Sequence, residues 1–206
     1  NTDGSFNTGI GTGTLLFNLG NQSTGEGVRN TATGAGALLS NTFGFQNTAN
    51  GAFALFSNTE GVYNTAIGES ALFFNTIGGG NTAVGVHALY SNSMGGDNTA
   101  VGAAALPSNT QGSENTAIGT QAWLFNTLGL QNTANGAFAL RLNTGGNHNT
   151  ATGYRALVGN VSGVENTAYG HLALANCTGS YNVGLAGGFN LTNGDFNIDI
   201  GNDGEA

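Results

Sequence analysis

Apolar and polar residues follow one another along this chain on a fixed beat of seventeen. The beat starts at an asparagine, found at 30, 47, 64, 81, 98, 115, 132, 149 and 166. Aligned on Asn30, the unit reads Asn-Thr-Ala-x-Gly-x-x-Ala-Leu-x-x-Asn-Thr-x-Gly-x-x, and unit positions are counted from that asparagine. Nine consecutive copies run from 30 to 181, the last one residue short; a copy with six extra residues precedes them over 7–29, and a degenerate one follows over 182–196. So short a unit cannot bury its own apolar side chains, and only stacking on its neighbours can. The pattern predicts one elongated domain over residues 1–206, of about eleven coils, with an insertion within 19–29 and degenerate coils over 182–206.

The unit itself argues against a helix, being half the length of a helix-turn-helix repeat and carrying two Gly, two Asn and two Thr. The expected fold is all-β: a parallel β-solenoid, or β-roll, of 17-residue coils with two short strands each, over Asn-Thr-Ala-x-Gly and over Ala-Leu-x-x-Asn-Thr. Stacked at about 4.8 Å, the coils make a rod of roughly 50 Å. Glycines at positions 5 and 15, such as Gly68 and Gly78, fit corners that need positive φ or that leave no room for a Cβ.

Each column of the rod then has a reading. Asparagines at position 1 (Asn47, Asn64, Asn81, Asn98, Asn115) and position 12 (Asn58, Asn75, Asn92, Asn109) are expected to form ladders, because an amide both donates to and accepts from its own copy. Ala66, Ala83, Ala100 and Ala117 at position 3 and Leu55, Leu72, Leu89, Leu106 and Trp123 at position 9 are the expected core. Apolar side chains also recur at position 4 (Ile67, Val84, Val101, Ile118) and position 10 (Leu39, Phe56, Phe73, Tyr90, Leu124). A thin coil cannot bury them as well, and an apolar ridge along a rod marks an interface, most economically with other copies of the chain. A competing reading makes Phe56, Phe73, Phe74, Tyr90 and Phe125 a platform for stacking sugars.

Composition narrows the function classes. Only 7% of residues are charged, lysine is absent, and the net charge is −8, so the clustered cations that hold nucleic acid or an anionic membrane surface are missing. Yet 39% of residues are hydrophobic and fall at fixed positions, which argues for a folded chain. Cys177 is alone, excluding an intramolecular disulfide, and is aligned with the threonine column as a buried substitute. No apolar run is long enough to span a bilayer.

Candidate chemistry is sparse. His87, His148 and His171 fall at different unit positions and do not converge, and no nucleophile-base pair or carboxylate pair sits in a catalytic pattern. No catalytic residue, metal ligand or cofactor is expected. Glu60, Asp97, Glu114, Glu165 and Asp195 gather near the turn over positions 14 to 17, as a solvated turn or, alternatively, a cation site. Gln131, His148 and Glu165 share one column, a candidate polar ladder. Threonines at positions 2 and 13 raise an ice-binding alternative, which needs both columns on one flat face.

Asn64 to Gly78 and Asn115 to Gly129, of the form Asn-Thr-Ala-Ile-Gly-x-x-Ala-Leu-x-x-Asn-Thr-x-Gly, resemble the head repeats of trimeric autotransporter adhesins and, equally, the shaft repeats of phage tail-fibre-like proteins. The resemblance covers residues 1 to about 200. It implies a left-handed roll, three chains side by side, and a rod on the outside of a cell or virion that presents or forms a binding surface for a glycan or matrix protein. Asn197-Ile198-Asp199-Ile200-Gly201-Asn202 is similar to the segment that leads from such repeats toward a chaperone domain, and Asn1 to Phe6 match the last six positions of the unit, so the chain reads as part of a longer array. Thr33, Asn50, Asn135, Thr152 and Tyr169 at position 4 depart from an apolar seam. A self-assembling filament is the alternative; Gly204 and Glu205, standing where the unit has Ala and Leu, argue against end-to-end stacking.

Overall fold

The computed structural model describes residues 6–187 and 191–201; the expectations for Asn1 to Ser5, Gly204 and Glu205 lie outside them. Its described residues form no helix. Twelve strands of three residues each, from β1 (Thr8–Ile10) and β2 (Thr31–Thr33) to β12 (Ile198–Ile200), pair in chain order as one parallel sheet. Like pairs with like: Thr65 stands over Thr82, Ala66 over Ala83 and Ile67 over Val84. The chain is a parallel β-solenoid.

Each coil has one strand, at positions 2 to 4, and not the two expected. The Ala-Leu-x-x-Asn-Thr stretch is a run of turns. Positions 7 and 9 take left-handed backbone, as in Ser70 (φ 54) and Leu72 (φ 52), and so does position 17, as in Tyr63 (φ 58). Those kinks aim successive amides at the coils above and below. Leu72 N donates to Ala88 O at 3.0 Å and Ser70 N to Ala52 O at 2.9 Å, in opposite directions along the rod. The turns are thus hydrogen-bonded to the coils on both sides. A left-handed L-residue costs about 1–2 kcal/mol, and at position 9 the burial of a leucine, worth about 1.5–3 kcal/mol, offsets it.

Glycine is required for two different reasons. At position 5 the backbone is itself left-handed, with Gly102 at φ 134, and a Cβ there would lie 2.6 Å from the Gly119 carbonyl oxygen. At position 15 φ is not positive; a Cβ on Gly61 would instead meet Asn75 Nδ2 at 2.6 Å and the Gly78 carbonyl at 2.6 Å. The asparagine ladder fills the space where that side chain would be.

The core is a stack of identical small layers. Ala66, Ala83, Ala100, Ala117, Leu55, Leu72, Leu89, Leu106 and Trp123 are fully buried. Alanine at position 8 (Ala71, Ala88, Ala105) forms a third inward column that the sequence reading did not assign to the core. The insertion leaves one corner: Leu19 N bonds Thr42 O, Gly27 N bonds Phe43 O, and Asn21 and Glu26 pair between them. Cys177 occupies position 12, the asparagine column, and not the threonine column. Its N–H bonds Leu174 O as Asn160 N bonds Leu157 O, and Thr178 takes the threonine place, its hydroxyl donating to Thr192 O. The missing residue of that coil therefore falls after Thr178, which is what displaced the alignment.

Candidate self-association surfaces

What a rod can do depends on which side chains its interior leaves over. The position 1 ladder ties side chain to backbone: Asn98 N and Nδ2 each donate to Asn81 Oδ1 at 3.0 Å, and Asn98 Nδ2 also donates to Gly112 O at 2.8 Å. The position 12 ladder runs from amide to amide, with Asn92 Nδ2 to Asn75 Oδ1 at 2.9 Å and Asn109 Nδ2 to Asn92 Oδ1 at 2.7 Å. Both ladders converge on the position 15 carbonyl, so Gly95 O accepts from Asn81 and from Asn92. Asn47, Asn64, Asn115, Asn58 and Asn75 are buried in the same two ladders.

Trp123 interrupts this order. Its indole Nε1 donates to Asn143 O at 2.7 Å. Past it, Asn143 and Asn160 turn their oxygens to the N–H of Gly146 and Gly163 in their own coils, and Asn143 Nδ2 is left buried without a partner.

Outward side chains divide into three surfaces. The first is the outer face of the sheet, with positions 2 and 4. Ile67, Val101 and Ile118 are 41%, 36% and 39% exposed there, and Val84 is half-buried. Thr65, Thr82, Thr99 and Thr116 stand beside them; no hydrogen bond among the described residues engages their hydroxyls.

The second surface carries positions 7, 10 and 11, so the two apolar columns expected to form one interface lie on different sides of a corner. Leu39, Phe56, Phe73, Tyr90 and Leu124 are half-buried, largely by one another. Phe56 stacks on Phe73 with ring centres 5.0 Å apart and planes at 6°, and Phe73 stacks on Tyr90 at 5.4 Å and 24°. Phe74 and His87 close the cluster edge-on. Both faces of Phe73 are covered by its own chain, which leaves it no flat ring face for a sugar. Farther along, Arg141 lies 5.7 Å from the ring centres of both Phe125 and Phe138.

The third surface is the corner with positions 13 to 17. Position 13 hydroxyls bond along the stack: Thr42 Oγ1 donates to Thr59 O at 3.0 Å, the same carbonyl that accepts the N–H of Thr42, Phe43 and Gly44. That column is committed to holding coils together, and it does not join position 2 on the strand. Gln131 Nε2 reaches Glu114 Oε2 at 2.9 Å, so this glutamine pairs with the glutamate below it rather than with His148 and Glu165 above. Phe43, Ile77, Met94 and Leu128 at position 14 are exposed too. They recur in too few copies for the repeat to announce them. No group of three or more His, Cys, Asp or Glu that could hold a metal ion occurs among the described residues.

No family model, curated protein or solved structure matches the chain. Its reading therefore rests on its own surfaces. No helix among the described residues is long and apolar enough to cross a membrane. At Cys177, inside the last full coils, burial pushes the thiol up, and Asp195 adds to this against hydrogen bonds from Gly179 and Asn182.

Proposed function

We propose that this chain is a non-enzymatic structural rod, a segment of an extracellular, self-associating fibre of the trimeric adhesin-head or tail-fibre kind. The supporting observation is the contrast between a satisfied interior and an outer surface bearing apolar side chains on every side, Ile67 and Ile118 on the sheet, Phe74 and Phe125 on the aromatic side, Ile77 and Leu128 at the corner. Only 7% of its residues are charged, so much of that apolar surface has no charge beside it to hold copies apart. Stiffness follows from the construction, since every coil is bonded to both neighbours around its circumference. The role is to hold a surface, its own or an attached one, away from a cell or virion.

Sedimentation equilibrium and native mass spectrometry test the reading, with a defined homo-oligomer, three copies by the resemblance, as the expected result. A monomer at micromolar concentration overturns it. Electron micrographs separate discrete rods from the filament alternative, which requires long fibres.

A further inference from the structure

We infer that the outer face of the sheet is the surface on which a second copy of this chain docks. The inference rests on the self-associating rod proposed above and names which of its three surfaces does the associating. Three observations single that face out.

Charge is the first. From β1 to β12 the outward positions 2 and 4 carry only threonine, valine, leucine, isoleucine, asparagine and tyrosine, with no charged residue. Both other surfaces are charged: Glu69, Arg141 and Arg155 lie on or beside the aromatic side, and Glu60, Asp97, Glu114 and Glu165 lie along the corner. Two corners repel when they meet, and a contact through the aromatic side has to bury Glu69, Arg141 or Arg155. Only the sheet face brings copies together with no charge at the contact.

Register is the second. Strand pairs keep one parallel register throughout, and threonine stands over threonine at position 2 from β1 to β10, so the face is a grating of one spacing, about 4.8 Å. Another copy carries the same spacing, so its threonines interleave from β1 to β10 and its aliphatic side chains over β4 to β7. The aromatic side lacks this property, because position 10 changes from Tyr90 to Pro107 to Leu124 to Arg141 in successive coils.

Size is the third. Twelve three-residue strands at the usual strand spacing and rise cover on the order of 500 Å². Two such faces bury about 1,000 Å² together, where specific interfaces begin. The area is sufficient only if the whole face is used, which agrees with its being free of charge over its whole length.

The test places charge at the centre of the face. β6 (Thr99–Val101) and β7 (Thr116–Ile118) are the middle two of the twelve strands, so Val101 meets the matching region of a second copy whether the rods run parallel or antiparallel. Val101→Lys, with Phe74→Lys and Leu128→Lys as controls on the other surfaces, is examined by sedimentation equilibrium after circular dichroism and thermal melting show an unchanged fold. Like charges opposed across a contact weaken association by about 100-fold or more; that loss is expected for Val101→Lys, while both controls stay within about 3-fold of wild type. Mixing Val101→Lys with Val101→Glu restores association if the faces meet. Wild-type association that survives Val101→Lys but is lost with Phe74→Lys or Leu128→Lys overturns the inference and leaves the rod reading standing. A monomeric wild type overturns both, and if it also shows thermal hysteresis that Val101→Lys abolishes, the face belongs to ice instead.

Discussion

Asn81 is where the architecture is most open to a quantitative test. Its side chain makes four hydrogen bonds: Oδ1 accepts from Asn98 N and Asn98 Nδ2, each at 3.0 Å, and Nδ2 donates to Asn64 Oδ1 at 3.1 Å and Gly95 O at 2.9 Å. In Asn81→Ala three of the partners keep another bond. Gly95 O still has Asn92, Asn64 Oδ1 still has the backbone N–H of residue 81, and Asn98 Nδ2 still has Gly112 O. The backbone N–H of Asn98 keeps nothing. An orphaned buried N–H costs about 1–3 kcal/mol, and three partly compensated bonds add about 0.5–1 kcal/mol each. The total is about 2.5–6 kcal/mol, a large part of the stability of any domain.

Urea unfolding followed by circular dichroism reads that loss, with Thr82→Ala as control because its outward hydroxyl has no partner in the chain; the control should change by less than about 0.5 kcal/mol. Hydrogen exchange should place the effect in the coils on either side of residue 81, since stability in a stacked array is a sum over neighbours. An Asn81→Ala protein within about 1 kcal/mol of wild type would mean that the ladder contributes shape and not stability, and would refute the reasoning.

Four further outcomes are expected. Gly102→Ala should destabilise by about 3 kcal/mol or more, combining a strained φ with a Cβ driven against the Gly119 carbonyl, as measured by the urea midpoint. Trp123→Leu should cost less than about 1.5 kcal/mol, against about 2–5 kcal/mol for Leu89→Ala, because the smaller side chain lets Asn143 rejoin the ladder; the Asn143 side-chain amide resonances should then move. For Cys177 the folded-state pKa is raised, so its stabilising effect is complete below the ordinary thiol range, about pH 8.5, and is lost as pH climbs through the folded value. Exchange in the coils around Cys177 should quicken above that pH in wild type more than in Cys177→Ala. Added salt should strengthen association of the wild type, because it screens the corner carboxylates that repel between copies; sedimentation across a salt series would show weakening instead if the contact were ionic.

How far the sequence can be read depends on whether a residue's role is carried by its chemistry or by its backbone. The asparagine ladders were legible because a neutral donor-acceptor recurring at one spacing has few other uses, and Ala66 and Leu72 because a thin coil needs small and branched apolar fillers. Leu72 nevertheless sits at φ 52, a conformation that no propensity assigns to leucine and that only the stacked coil stabilises; this is why a second strand was expected where turns occur. The separation of Ile67 from Phe73 onto different surfaces was hidden for the same reason, since it follows from the corner that Gly68 makes between them. Ala71 was within reach: position 8 is alanine in every full copy and more constant than position 9. Cys177 was misplaced because Asn176-Cys177 imitates Asn-Thr, and only hydrogen bonds show on which side of it a residue is missing.

Scarcity of charge follows from the same stacking. In a solenoid each residue lies about 4.8 Å from its equivalent above and below, so a charged column repels itself at every step while an amide or hydroxyl column binds itself. The chain accordingly carries only eleven acidic residues among 206. Where two do fall together, Asp97 below Glu114, the latter is held from above by Gln131. A rod built this way acquires stability from columns that cannot carry charge, and so leaves a whole face without any. The uncharged sheet face is the plainest result of that constraint, and contact with another copy resolves it, because burying that face removes apolar area from water without bringing any charge along.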